Sequence, residues 1–319
     1  MARYDIDPQL ASLARMKGPF NRLTIAASIL VQGRLLDRER SDDAMRVTRV
    51  DIPARDGATV PALLYEPATR FSRGCLLYLH GGAFAMKGAA YHYRRARAYA
   101  ERAGCSVLYA DYRLAPRYPF PTPLYDCLNA LIWLLERASD LGIDPAHVAV
   151  GGDSAGGALA ASLCFVARDE LGFVPCAQML AYPVTDRAAE GESMQRFTDV
   201  PMFNARQVPA MWRFYLGREG RRSSEAERLL AEHPEYAAPM DVSDARLVGL
   251  PPTYVETCEF DCLHDEALAY AGRLAGAGVS VEVNETHGTV HGYDFVFDCA
   301  LTHDAIERRV TFLRAAMGA

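Results

Sequence analysis

The chain has 319 residues, 50% of them hydrophobic and 23% charged, which is enough apolar material for a large core. Its net charge of −6 comes with no concentrated basic run, so nucleic acid is excluded as a partner. No stretch approaches the roughly 18 uninterrupted apolar residues of a membrane-spanning helix, so no span is expected.

The N-terminus, MARYDIDPQLASLARMKG, carries acids and lacks the apolar core of a secretory signal. The eight cysteines are scattered through apolar surroundings, so the expectation is a cytoplasmic protein with reduced thiols. Cys258 and Cys262 in CEFDC have no second pair nearby, which argues against a metal site there. Residues 1–45 read as one or two amphipathic helices ahead of the first strand. From residue 46, short β-rich runs alternate with longer helical patterns, as in a largely parallel sheet covered by helices on both faces. The strand candidates are 46–53, 59–67, 74–80, 106–112, 147–152, 176–183, 251–258 and 279–285, eight in all. Helical patterns lie at 92–103, 124–138, 155–169, 263–277 and 303–316. The Asp-Gly of RDGA (55–58) predicts a tight turn and an antiparallel first pair. Residues 186–235 interrupt the alternation and are rich in Met, Phe, Trp and Tyr; with 1–45 they are long enough to form a lid. Within the second of these stretches, REGRRSSEAER (218–228) mixes Arg with Glu and reads as a solvated surface segment.

LLYLHGGAF (76–84) ends an apolar strand with His-Gly-Gly-Ala. Backbone N–H groups of such a loop can approach a developing oxyanion closely, and each donor is worth roughly 10²–10³ in rate. Gly82 and Ala83 are the expected donors, joined by Ala155, with Gly81 as the hinge and His80 bracing the loop. HVAVGGDSAGGALAAS (147–162) places Gly152, Ser154 and Gly156 between an apolar strand and an Ala-rich helix. In that context G-x-S-x-G is a strand-to-helix turn that exposes a nucleophilic serine beside the positive end of the new helix.

With DYRLAP (111–116), FDCLHDE (260–266) and HGY (291–293), these motifs resemble the hormone-sensitive lipase family of α/β-hydrolases, in particular its bacterial carboxylesterase branch. The resemblance runs from about residue 60 to the C-terminus. It implies the α/β-hydrolase fold: a mostly parallel eight-stranded sheet, helices on both faces and a helical cap. The cap would comprise 1–45 and an insertion at 186–235, with the catalytic core split into 46–185 and 236–319. The commoner family loop has a third glycine where this chain has Ala83, which is acceptable if φ there is negative.

The family order is serine, acid, histidine. Asp261 follows the seventh strand candidate, precedes a helix, and matches the family's Asp-x-Leu-x-Asp-Glu pattern. Its competitors are Glu256, within or at the end of the strand, and Asp265 and Glu266, in the first helical turn. In HGTVHGY (287–293), two histidines stand four apart past the last strand. The glycines and the Thr-Val between them disfavour the helix that a zinc pair would need, and no Glu follows the first, so no metal is expected. Alignment to the family's His-Gly-aromatic signature implies His291 as the base, with Tyr293 at the usual Phe position and His287 at a variable one. His92, His147, His233, His264 and His303 show no partner pattern and read as surface or packing residues.

The resulting expectation is a cofactor-free serine carboxylesterase using Ser154, His291 and Asp261. The resemblance implies short- to medium-chain acyl esters as substrates. An amide or formamide hydrolase with the same residues is the alternative. A non-enzymatic receptor on this fold would lack the histidine base. The last strand is expected at a sheet edge, where it could pair across a two-fold axis into a homodimer.

Overall fold

A computed structural model describes residues 3–217 and 222–318. The 218–221 part of the surface segment therefore lies outside the described residues, while Ser223 caps the helix that follows it. In chain order the elements are α1 (Arg22–Gln32), β1 (Met45–Pro53), β2 (Thr59–Pro67), β3 (Cys75–Leu79), α2 (Ala90–Ala103), β4 (Ser106–Ala110) and α3 (Thr122–Arg137). Then come β5 (Val148–Asp153), α4 (Ala155–Leu171), β6 (Gln178–Ala181), α5 (Glu192–Arg196), α6 (Val208–Leu216) and α7 (Ser224–Glu232). The chain closes with α8 (Asp244–Leu247), β7 (Thr253–Phe260), α9 (His264–Gly276), β8 (Val281–Val290) and α10 (Ala300–Ala316).

The eight strands form one sheet in the order β1-β2-β4-β3-β5-β6-β7-β8. β2 runs antiparallel to both its neighbours, and the pairs from β4 to β8 are parallel. The Asp-Gly turn closes the first hairpin as expected, with Gly57 at φ 79° and Ala54 N–H donating to Ala58 O at 2.9 Å. Alternation along the strands builds two cores. Cys75, Leu77 and Leu79 of β3 face α3, α4 and α9, while Leu76 and Tyr78 face α2 and α10. The central strands β3, β4, β5 and β6 are wholly buried, so they read as continuous apolar runs rather than alternating ones.

Two strand ends differ from the sequence expectation. β7 continues to Phe260 and β8 to Val290, so His287 sits inside a strand rather than just after one. β8 is an edge strand, as expected. The N-terminal segment covers part of that edge, with Asp7 N–H bonded to Gly288 O at 2.9 Å.

Candidate active site

Ser154 stands at the sharp turn between β5 and α4 with φ 55° and ψ −120°, a conformation that costs about 1–3 kcal/mol in a non-glycine residue. Its small neighbours make the turn possible. A Cβ on Gly156 would come within 2.0 Å of Leu79 O, and one on Gly152 within 2.4 Å of Gly156 O. The turn is fastened by Ser154 N–H to Ala181 O at 2.9 Å and Val184 N–H to Ser154 O at 3.1 Å.

Ser154 Oγ lies 2.8 Å from His291 Nε2, and His291 Nδ1 lies 2.7 Å from Asp261 Oδ2. All three side chains are buried. Asp261 Oδ1 also accepts from Leu263 N–H at 3.0 Å, which fixes the carboxyl plane at the start of α9. The pairing of β7 with β8 explains why this histidine meets this acid. Cys258 pairs with Thr286, but Phe260 pairs with Val290, so β8 carries two extra residues over that step. Gly288, at φ 67°, lies in the irregular stretch, and its N–H donates to Glu259 Oε2 at 2.8 Å. Past the bulge, Asp261 and His291 are the next residues on the two strands. His287 lies in the bulged segment with its side chain 86% exposed, and its nearest acid is Glu259 at 3.8 Å.

A cavity of about 120 Å³ surrounds the serine, lined by Gly82, Ala83, Met86, Tyr182, Met202 and Phe203 among others. It shares Phe20, Gly82, Met86, Tyr91, Met202 and Gln207 with a larger cavity of about 470 Å³ that the N-terminal segment walls on one side. Gly82 and Ala83 are thus beside Ser154, and Ala155 is the first residue of α4. The loop departs from expectation in two ways. The chain reverses at Gly82 (φ 123°), Ala83 (φ 54°) and Phe84 (φ 58°), so Gly81 is not the hinge. Gly81 instead provides clearance, because a Cβ there would lie 2.4 Å from Asp153 Oδ2. Ala83 does not have the negative φ expected of it; the tight reversal forces it into the left-handed region. His80 stacks on Tyr112 with centroids 4.4 Å apart and places Nδ1 2.7 Å from Gly81 O. Burial, reinforced by His92, pushes His80 down to about 3, so it braces the loop as a neutral ring.

The rejected acids are employed elsewhere. Asp265 Oδ2 accepts from Ser193 N–H at 2.7 Å, and Glu266 Oε1 from Thr185 N–H at 2.6 Å, so the first turn of α9 anchors the start of the 186–235 insertion. Burial raises the Glu266 carboxyl from its ordinary 4.5 to about 8, against the lowering effect of the Thr185 and Asp186 N–H bonds. Between those two values the folded chain keeps a proton that the unfolded chain has lost. The contribution of this group to stability is therefore complete below pH 4.5 and is lost as pH rises towards 8, a change of about 3–5 kcal/mol at most. Glu266→Gln, which cannot ionise, is expected to have its Tm relative to wild type higher at pH 9 than at pH 5 in parallel thermal melts.

Beneath the serine lies a buried ionic network that the sequence reading missed. Arg95 of α2 lies 3.2 Å from Asp153 Oδ1 and 3.0 Å from Asp294 Oδ1. Arg309 of α10 pairs with Asp294 Oδ2 at 2.8 Å and also with Glu256. Tyr78 and Tyr182 hydroxyls donate to Asp153 at 2.7 Å and Asp294 at 2.5 Å, and the Tyr182 ring meets His291 edge-on at 5.0 Å. His92 accepts from Ala89 N–H on Nδ1 at 2.9 Å, so Nε2 carries the proton and donates to Asp153 at 3.2 Å. That overturns its reading as a residue without partners. His264 also has partners, Asp265 at 3.1 Å and Glu285 at 3.3 Å. Burial works to raise the Asp153 and Asp294 carboxyls, but Arg95 at both, with His92 at the first and Arg309 at the second, holds them below the usual carboxylate range. Asp153 precedes Ser154, Asp294 follows His291 by three residues, and Glu256 lies in the strand leading to Asp261. The network therefore ties the three segments together. Its signal in the sequence was an arginine on the buried stripe of each helix: Arg95 three after His92 and four before Tyr99, and Arg309 three after Ile306 and four before Leu313.

The family model described as alpha/beta hydrolase fold matches residues 76–295. Carboxylesterase NlhH of Mycobacterium tuberculosis is 32% identical over 325 aligned residues, covering 100% of this chain and 98% of that protein. The ethyl acetate hydrolase of Pseudomonas putida is 34% identical, covering 86% of this chain and 84% of its own. Among solved structures, a bacterial heroin esterase superposes with a TM-score of 0.85 at 35% identity, covering 98% of each chain. The chain belongs to the hormone-sensitive lipase family of α/β-hydrolases and is a carboxylic ester hydrolase.

Proposed function

We propose that the protein is a serine carboxylesterase for short- to medium-chain acyl esters, working through an acyl-enzyme intermediate. The observation that carries this reading is the hydrogen-bonded chain from Ser154 Oγ through His291 to Asp261, at 2.8 and 2.7 Å, opening into an apolar cavity. Asp261 can only orient the ring with its proton on Nδ1, which leaves Nε2 free to accept the serine proton. Ser154 then attacks the ester carbonyl. The oxyanion falls to backbone N–H groups of Gly82, Ala83 and Ala155, the last at the positive end of α4. His291 returns its proton to the leaving alcohol and afterwards activates water to release the acid. No cofactor enters any of these steps.

The cavity of about 120 Å³ at the serine suits a short acyl group, and the adjoining space of about 470 Å³ takes the remainder of the substrate. In this reading the N-terminal segment and the 186–235 insertion form the cap over both. A series of p-nitrophenyl esters of increasing acyl length tests it: turnover should peak at short to medium chains, and Ser154→Ala should abolish it across the series. Substantial hydrolysis by a contaminant-free Ser154→Ala protein would refute the assignment. A matched amide of the best acyl group separates the amide-hydrolase alternative. Pairing across a two-fold axis remains our reading of the part of the β8 edge that the N-terminal segment leaves uncovered, and a monomeric mass in solution would remove it.

A further inference from the structure

Helix α1 is folded inside out. Leu23, Leu30 and Val31 are 81%, 83% and 75% exposed, Ile29 is 43% exposed, and Ala26 and Ala27 also face solvent. At 100° per residue these six side chains cover one continuous arc of the helix. The opposite side, turned towards the protein, carries Thr24, Ser28 and Gln32 around a single buried apolar residue, Ile25. Among the described residues, Ser28 Oγ and Gln32 Oε1 are buried without a hydrogen-bond partner, while Thr24 and Gln32 line the larger cavity next to the serine. An isolated water-facing helix gains nothing from this arrangement, because it exposes apolar area and buries polar atoms at once.

The charge around α1 identifies what covers it. Between Pro8 and Leu36 the chain has four basic residues, Arg15, Lys17, Arg22 and Arg34, and no acid, although the whole protein carries −6. All four are exposed, with Arg22 at the first position of α1 and Arg34 two residues past its end. A second copy docked on α1 by a two-fold axis would bring Arg22 of one helix near Arg34 of the other. Eleven residues also span only about 16 Å, so one helix face about 10 Å wide presents on the order of 160 Å², far short of the roughly 800 Å² per partner of a stable dimer interface. An apolar stripe flanked by cations matches the boundary of an anionic lipid surface instead.

We infer that α1 is a docking helix for anionic lipid surfaces, which it meets with Leu23, Leu30 and Val31 inserted and Arg22 and Arg34 at the headgroups. Because the inner side of α1 lines the cavity leading to Ser154, docking would hold the helix between that cavity and the lipid and bring the site close to the surface, a consequence that rests on the esterase reading. The docking itself does not, so it is measured without catalysis. Co-sedimentation with vesicles of phosphatidylglycerol and phosphatidylcholine is compared with vesicles of phosphatidylcholine alone.

The expected result is binding about tenfold or more stronger to the anionic vesicles, weakened by salt. The double variant Leu30→Glu, Val31→Glu should lose it, and Arg22→Gln with Arg34→Gln should weaken it by about tenfold or more. Both variants should hydrolyse a water-soluble short ester as wild type does, showing that they are folded. Equal binding to both vesicle types, or none, would overturn the proposal. So would a dimeric mass that Leu30→Glu converts to monomer, which would assign the face to a second copy of the chain.

Discussion

Replacing His291 by alanine is expected to lower kcat/KM for a short aryl ester by on the order of 10⁴–10⁶, while His287→Ala leaves it within about threefold. The difference follows from where the two rings sit. His291 bridges Ser154 and Asp261 at 2.8 and 2.7 Å in a buried site, so its loss removes the one side chain hydrogen-bonded to Ser154 Oγ among the described residues. His287 is 86% exposed on the bulged part of an edge strand and touches neither residue. The loss should fall on kcat rather than KM, because the proton transfer belongs to the transition state and not to substrate binding. Steady-state kinetics on the two variants, with far-UV circular dichroism to show that both are folded, decides it. Equal losses from the two changes would mean that the histidines act as a pair and would remove His291 from its single role.

The second large effect is expected at Arg309, far from any substrate. Arg309→Met should destabilise the fold by about 3–5 kcal/mol, lowering Tm by roughly 6–10 °C. Arg309 is completely buried between Glu256 and Asp294, and Tyr99 OH accepts from it at 3.0 Å. A neutral residue leaves the buried Glu256 without its arginine and Asp294 with Arg95 alone, and the cost of that uncompensated charge outweighs what the ion pairs themselves contribute. Arg309→Lys should recover only part of the loss. A lysine keeps the charge but lacks the planar fork that reaches both acids at once. Because Asp294 follows His291 by three residues and Tyr182 links the two, kcat is expected to fall in Arg309→Met even at temperatures where the variant is fully folded. Differential scanning calorimetry and kinetics at 10 °C below each variant's own Tm separate the two consequences. Normal kcat in the folded variant would confine the network to stability.

Much of this was legible along the chain. The strands could be read because central parallel strands are short apolar runs, and the Asp-Gly turn because few sequences close a two-stranded hairpin so tightly. The serine turn was visible because its sterics demand small residues at fixed positions, Gly152 and Gly156, whichever protein they occur in. Asp261 could be placed because it falls between a strand and a helix. Features set by contacts between distant segments were not legible. The expectation of a negative φ at Ala83 failed because the loop folds back on itself through Gly82 and Phe84, a path set by its packing rather than by the four residues His-Gly-Gly-Ala. Arg95 and Arg309 were passed over because a charged residue on an otherwise apolar stripe gains its meaning only from acids contributed by three other elements.

The sequence by itself therefore determined the α/β architecture, the serine at its turn and the glycine loop beside it. These are local demands of sterics and periodicity, and they are met within a few residues. The tertiary structure decided which histidine faces Asp261, since that depends on two extra residues in β8 that shift its register against β7. It also decided that α1 turns its apolar side outward, because a helix's hydrophobic pattern shows that it has two faces but not which of them the rest of the chain will cover.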